Sequence, residues 1–264
     1  MSAQTFAIAN QKGGVGKTTT AVSLAHALSL MGIPTLLVDM DPQGNATSCL
    51  GLEKKPGGGI YEPLLNGDDL AGRVKSSRRG NLWIVPSELD LAAAELELSQ
   101  EPNYLSKLSS SLNSLKNHYG LQVILIDCPP TLGLLSMNAL CAADYLVITL
   151  QSEFLAMEGL SQITRVVNQL IEAGVNPTLK LGGIVMTMYD TRTRLSLDVW
   201  HEANRHYANE VFKTAIPRAI RLSEAPSFGQ TIFEYAPDSP GALAYRAFAR
   251  EFTSRFLSES QSSG

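Results

Sequence analysis

The chain has 264 residues, 44% hydrophobic and 17% charged, with a formal net charge of −4. This excludes an intrinsically disordered chain and a protein whose whole surface is a nucleic-acid footprint, while leaving room for a local basic patch. The three cysteines have no Cys-x-x-Cys spacing, no apolar run approaches the ~20 residues of a membrane span, and no secretory leader pattern stands at the start, so a cytoplasmic protein in a reducing compartment is expected.

Short β-branched runs alternate with helical periodicity along the chain. Residues 5–9 read as a first strand that leads into a glycine-rich turn, K-G-G-V-G-K-T at 12–18. A helix follows over 18–31, with Gly32 as its C-cap, and a second strand over 35–38 ends in Asp39. Residues 51–80 turn polar and glycine-rich, with the basic cluster Lys75, Arg78 and Arg79, and read as loops and short helices at one edge. Strand 82–85 precedes helices over about 88–99 and 103–118. The run V-I-L-I-D at 123–127 has the continuous apolar character of a strand covered on both faces. Strands at 145–149 and 182–187 repeat it, with helices over about 153–173 and 194–208 beside them. A last helix spans 239–257, and the serine-rich tail at 258–264 is expected to be disordered. This alternation predicts a single α/β domain over 1–257, a doubly wound, mostly parallel sheet flanked by helices.

The turn at 12–18 carries the first chemistry. Backbone N–H groups can converge on a phosphate only where Cβ atoms are absent, and a following helix adds its dipole. Gly13, Gly14 and Gly16, around Val15, meet the first need, and the helix opening at Lys17, Thr18 and Thr19 meets the second. Lys17 is placed to reach β- and γ-phosphates and the Thr18 hydroxyl to ligate magnesium. The strict phosphate-loop pattern would have glycine at position 11; this chain has Gln11, followed by a second lysine, Lys12. Asp127, at the end of its strand before C-P-P, suits the carboxylate that supports a magnesium ion. Asp39 and Asp41 end the second strand as D-M-D-P-Q-G-N; one can support the metal and the other orient an attacking water.

The segments at 12–19, 39–47 (D-M-D-P-Q-G-N-A-T), 127–130 and 217–227 (P-R-A-I-R-L-S-E-A-P-S) together resemble the ParA/Soj family of chromosome and plasmid partition ATPases, within the wider ParA/MinD group of P-loop NTPases with a deviant Walker A motif. The resemblance runs from about residue 5 to about 250. It implies Mg-ATP as ligand, with Lys12 as the signature lysine that crosses to the partner subunit's phosphates in an ATP-bound homodimer. It implies that Asp41 orients the hydrolytic water, that Thr18 ligates magnesium, and that Asp127 stands behind the metal, which leaves Asp39 as the carboxylate of the second strand expected to support the metal. Pro217 and Ala219 match the turn that holds adenine, although Ala219 stands where the family commonly has asparagine, so a side-chain contact to the base is missing there. The family's ATP-bound dimer binds DNA without sequence preference; Arg192 and Arg221 are the candidate contacts here, with Arg194 and Arg218 weaker ones. The partner implied is a ParB-type centromere-binding protein, and the location implied is the nucleoid.

Two other readings compete. A MinD-like, membrane-cycling ATPase needs a C-terminal amphipathic membrane helix, whereas the apolar stripe of the last helix reads more simply as a face docked on the core, so no stable membrane association is expected. An iron–sulfur component needs two cysteines at a bridging cluster, whereas Cys128 and Cys141 read as small buried hydrophobes.

Overall fold

The computed structural model describes residues 2–117 and 120–257, so the serine-rich tail and the end of the helix expected over 103–118 lie outside the described residues. The strands are β1 (Gln4–Ala9), β2 (Thr35–Asp39), β3 (Lys75–Ser76), β4 (Leu82–Val85), β5 (Val123–Asp127), β6 (Tyr145–Gln151) and β7 (Lys180–Thr187). They form one sheet in the order β3-β4-β2-β5-β1-β6-β7. The short edge strand β3 runs antiparallel to β4; the other neighbours are parallel.

The helices are α1 (Lys17–Leu30), α2 (Asn45–Cys49), α3 (Tyr61–Asn66), α4 (Ala94–Leu98), α5 (Lys107–Leu112), α6 (Leu134–Ala142), α7 (Ala156–Glu172), α8 (Arg194–His206), α9 (Ile220–Glu224), α10 (Ile232–Tyr235) and α11 (Pro240–Phe256). They divide between the two faces. In β1, Phe6 and Ile8 pack into the cluster formed with α1 and α11, while Ala7 and Ala9 face the cluster formed with α6 and α7. Both faces are covered, which is why the central strands are apolar without alternation. Phe6 shows how tightly one face closes: its ring lies 5.2 Å from Tyr145, 4.6 Å from Phe252 and 4.9 Å from Phe256. The apolar stripe of α11 is used here, with Phe248 and Phe252 fully buried against the sheet and α1.

The parallel strands stand where the sequence predicts them, with β6 and β7 each longer by two residues at one end; the edge strand β3 falls in the segment expected to hold only loops and short helices, because two exposed residues, Lys75 and Ser76, carry no apolar run to announce a strand. The helices expected over 88–99 and 103–118 are instead broken. The first is a 3-10 turn at Leu89–Ala92 followed by α4; the second reduces to α5 and a 3-10 turn at Leu115–Asn117. Asn103 adopts a left-handed conformation, φ 56°, and Ser106 and Ser99 turn their hydroxyls onto nearby carbonyls, so local polar groups compete with the helical ladder. Of the basic cluster, Arg79 is absorbed into structure, pairing with Glu234 and donating to the carbonyls of Leu50, Ser77 and Gly229.

This topology fixes where a ligand can sit. From β1 the chain crosses through α1 to β2 on one side, while β5 crosses through α6 to β6 on the other. The crevice lies at the carboxyl ends of these strands, where the winding reverses. Asp39 and Asp127 are register partners there, and Ile8 pairs with Asp127 just before the glycine turn.

Candidate functional site

The glycine turn is anchored from two sides. The Asn10 side chain donates to the Thr149 carbonyl on β6 at 2.7 Å and accepts from the Lys12 N–H at 3.0 Å. At the other end, the Thr187 hydroxyl of β7 donates to the Val15 carbonyl at 2.8 Å. Gly16 caps α1 with φ 84°, and Gly14 has φ 75°, a backbone path that a side chain would strain. The loop is therefore a main-chain cradle opening onto the N-terminus of α1.

The two lysines stand on opposite sides of it. Lys17, buried at the first turn of α1, donates through Nζ to the Lys12 carbonyl at 2.8 Å. Burial lowers its pKa, and Asp127, Cys128 and Asp41 oppose that shift. The Lys12 side chain points the other way and forms an ion pair with Glu153, at the start of the loop between β6 and α7.

The three acidic residues are grouped but not equivalent. Asp127 is fully buried, and neither carboxylate oxygen has a hydrogen-bond partner of ordinary geometry among the described residues. Burial first, then the nearby Asp39 charge, raises its pKa well above the usual carboxylate range; the Thr18 hydroxyl and Lys17 pull it back only in part. Asp39 accepts from the Thr47 N–H at 2.8 Å, from the Thr47 hydroxyl at 2.7 Å and from the Asp41 N–H at 3.3 Å. Its pKa is raised to about 6 by burial despite these bonds. Asp39 thus ties α2 to the end of β2. Asp41 sits on the following turn, with one oxygen accepting from the Gln43 N–H at 2.9 Å and the other making no hydrogen bond among the described residues. Ser87 buttresses that turn, its hydroxyl donating to the Asp41 carbonyl at 2.7 Å.

An orphaned, buried carboxylate beside a threonine hydroxyl and a lysine is costly unless a cation completes it. The residues therefore fit a magnesium ion, which is commonly held by few protein oxygens together with phosphates and water.

From the loop a cleft of about 290 Å³ runs to the other predicted segment, lined among others by Gly16, Thr19, Thr187, Pro217, Ala219 and Tyr245. Pro217 and Ala219, far from the loop in sequence, are thus brought to its side. Thr187, Tyr245 and Asn10 were not singled out in the sequence. Met188, whose φ is 51°, turns the chain from β7 into this cleft; a left-handed methionine is a strained conformation of the kind concentrated at functional sites.

The arginines expected at DNA lie nearby. Arg192 and Arg218 line one groove of about 550 Å³ beside the cleft. Arg192 is 87% exposed in its side chain and forms a two-pronged pair with Asp190, which holds the Asp190 carboxyl down to about 2. Arg221, one turn along, pairs with Glu224 at 2.8 Å and lies over the Tyr235 ring at 5.9 Å. Arg194 approaches Asp198 at 3.8 Å, whereas Arg218 forms no ion pair among the described residues.

Comparison with known proteins agrees with this geometry. A family model described as "AAA domain" matches residues 3–181. The Chromosome partitioning protein ParA of Myxococcus xanthus is 46% identical over 249 residues, covering 94% of this chain and 87% of that protein. The Chromosome-partitioning ATPase Soj of Thermus thermophilus is 45% identical over 250 residues, 95% of both chains. Among solved structures, a cobyrinic acid a,c-diamide synthase from Mycobacterium smegmatis with bound ATP analog and magnesium superposes with a TM-score of 0.80 at 36% identity, covering 94% of this chain and 93% of that one.

Proposed function

The chain belongs to the ParA/Soj family of chromosome partitioning ATPases, and from that membership we propose that it works as an ATP-timed DNA clamp for segregation. It is an ATPase, with Mg-ATP as its ligand. The observation that carries the mechanism is the meeting of Lys17 and the buried Asp127 at one main-chain cradle, with the Lys12 side chain at its outer edge on Glu153.

Thr18 and Asp127 would hold magnesium, which would supply charge neutralisation at the phosphate oxygens. Lys17 leaves the Lys12 carbonyl for the phosphates. The free oxygen of Asp41 orients a water toward the terminal phosphate. Lys12 exchanges Glu153 for the phosphates of a second copy, adding positive charge where negative charge develops. Only the terminal phosphate makes different contacts in monomer and dimer, so its removal ends the dimer.

The closed dimer binds DNA phosphates through Arg192, Arg218 and Arg221, without reading sequence. Each subunit's patch is weak because Arg192 and Arg221 share their charge with acidic neighbours, and it becomes useful when two patches line up. A ParB-type centromere-binding protein triggers hydrolysis and release, and the chain operates in the cytoplasm on the nucleoid. Gel retardation of random-sequence DNA with ATP, ADP or no nucleotide tests this. Retardation confined to ATP is expected; equal retardation in all three conditions would sink the clamp.

A further inference from the structure

Beside Arg221 the surface carries two aromatic rings that belong to neither core cluster. Phe228 ends the 3-10 turn Ala225–Phe228 and is 66% exposed. It stacks on Tyr235, with ring centroids 5.2 Å apart and planes 17° apart. Tyr235 in turn carries the Arg221 guanidinium 5.9 Å from its ring centroid. One side of Phe228 is therefore covered by a ring, and the other is left to solvent beside a cation.

Arg79 fixes this pair from behind. It donates to the carbonyl of Gly229, next to Phe228, at 3.0 Å, and pairs with Glu234, next to Tyr235, at 2.9 Å. The basic cluster at 75–79 thereby acquires a structural link to the aromatic pair. Its exposed member, Arg78, lines a groove of about 340 Å³ together with Ser76, Ser77, Gly229 and Glu234. The Arg78 side chain forms no ion pair among the described residues. The acidic groups at hand are already engaged, Glu234 by Arg79 and the Thr231 N–H, Glu224 by Arg221 and the Tyr235 hydroxyl.

A cationic groove next to an exposed ring is the combination that tracks a single strand, with charge for the backbone and a π-face for a base. A duplex satisfies only the first half, because its bases cover one another and must be unstacked before a ring can meet them. We propose that this face also binds single-stranded DNA, one base stacking on Phe228 while the backbone passes along Arg78 and Arg221. This rests on the reading of Arg221 as a DNA phosphate contact. Because the platform is held by Arg79 before any ligand arrives, stacking on it loses little side-chain freedom.

The test is fluorescence anisotropy of a labelled oligothymidylate and of a random-sequence duplex of equal length, with the full chain, magnesium and ATP. Phe228→Ala should weaken oligothymidylate binding about 5- to 100-fold, the cost of one lost base stack, and leave duplex affinity within about twofold. Phe228→Trp should restore single-strand binding, since tryptophan offers an equal or larger face. Arg78→Ala should lower the slope of log affinity against log salt on the single strand by roughly 0.7 for each phosphate released. Unchanged oligothymidylate binding in Phe228→Ala, or an equal loss on both probes, overturns the proposal. Loss of the ATP dimer in sedimentation also overturns it, and would make Phe228 a subunit contact. Wild-type protein that binds duplex but no oligothymidylate sinks this inference alone, whereas binding of neither sinks the DNA reading beneath it.

Discussion

The Lys17 ammonium donates to the main-chain carbonyl of Lys12, 2.8 Å away. One lysine thereby holds the backbone of the other inside the cradle, while the Lys12 side chain is held outside by Glu153. Each bond satisfies a cation, Lys17 inside the cradle and Lys12 outside it, so each lysine must exchange a partner to meet a phosphate.

Lys17→Ala removes the cation at the centre of the cradle. Affinity for Mg-ATP should fall by at least 100-fold, read by titration calorimetry, because a charge-assisted hydrogen bond in a buried site contributes about 1.5–3 kcal/mol and more than one is lost. Thermal stability without nucleotide should change little or rise, since burial already disfavours this charge. Wild-type affinity in the variant would remove Lys17 from the phosphate site.

Lys12→Ala should leave ATP binding within a few-fold of wild type and abolish the ATP-dependent dimer in sedimentation. Its ion pair with Glu153 is open to solvent, with side-chain exposures of 52% and 38%, so losing it should cost under about 1 kcal/mol of stability. A variant that still dimerises and hydrolyses normally would contradict the role in trans.

Asp41→Ala should slow hydrolysis by 100-fold or more and keep the ATP dimer on DNA, seen as retardation that persists after free ATP is removed. The turn itself should survive, because Ser87 holds its main chain independently of the carboxylate. Fast release from DNA would show that some other group positions the water.

Arg221→Glu should eliminate DNA retardation while the ATP dimer persists. Arg218→Ala should weaken binding and lower the slope of log affinity against log salt by roughly 0.9 for each DNA phosphate that is no longer neutralised. If dimer and DNA binding disappeared together in Arg221→Glu, that arginine would belong to the subunit interface.

Asp127→Asn should leave the nucleotide-free protein at least as stable as wild type at pH 7 while sharply reducing magnesium-dependent affinity. Its raised carboxyl means that the folded state keeps a proton the unfolded chain has already lost, so wild-type stability falls as pH rises above the ordinary carboxylate range of about 3.9. Asp39 adds the same slope up to about 6. His26 acts oppositely: its pKa is lowered to about 4 by burial, and its stabilisation is lost as pH drops from about 6.5 toward 4. The variant therefore gains on wild type with rising pH, a difference readable in Tm across pH 4–7.5; a large loss at pH 7 would mean that Asp127 is already well partnered.

The parallel strands and the cradle were legible in the sequence because each is written locally; the exposed edge strand β3 was not. Apolar runs such as 123–127 need only their own residues to declare a buried strand, and K-G-G-V-G-K-T carries its own donors. The division of labour between Asp39 and Asp41 was not legible, since it depends on Thr47 curling back to occupy the first. Nor were Glu153, Thr187 and Tyr245, which reach the site from a distant loop, strand and helix; Tyr245 meets Thr20 across 225 positions. The helices over 88–99 and 103–118 failed for the converse reason. Their apolar spacing was helical, but a left-handed Asn103 and competing serines divided them.

The contact of Tyr245 with Thr20 has a consequence for biosynthesis. A ribosome releases the phosphate cradle first, and the helix that floors the neighbouring cleft follows more than 200 residues later. A nascent chain can therefore present its glycine loop long before it offers a full seat for a nucleotide. A fragment that stops before residue 240 keeps the glycine loop and loses the Tyr245 side of the cleft.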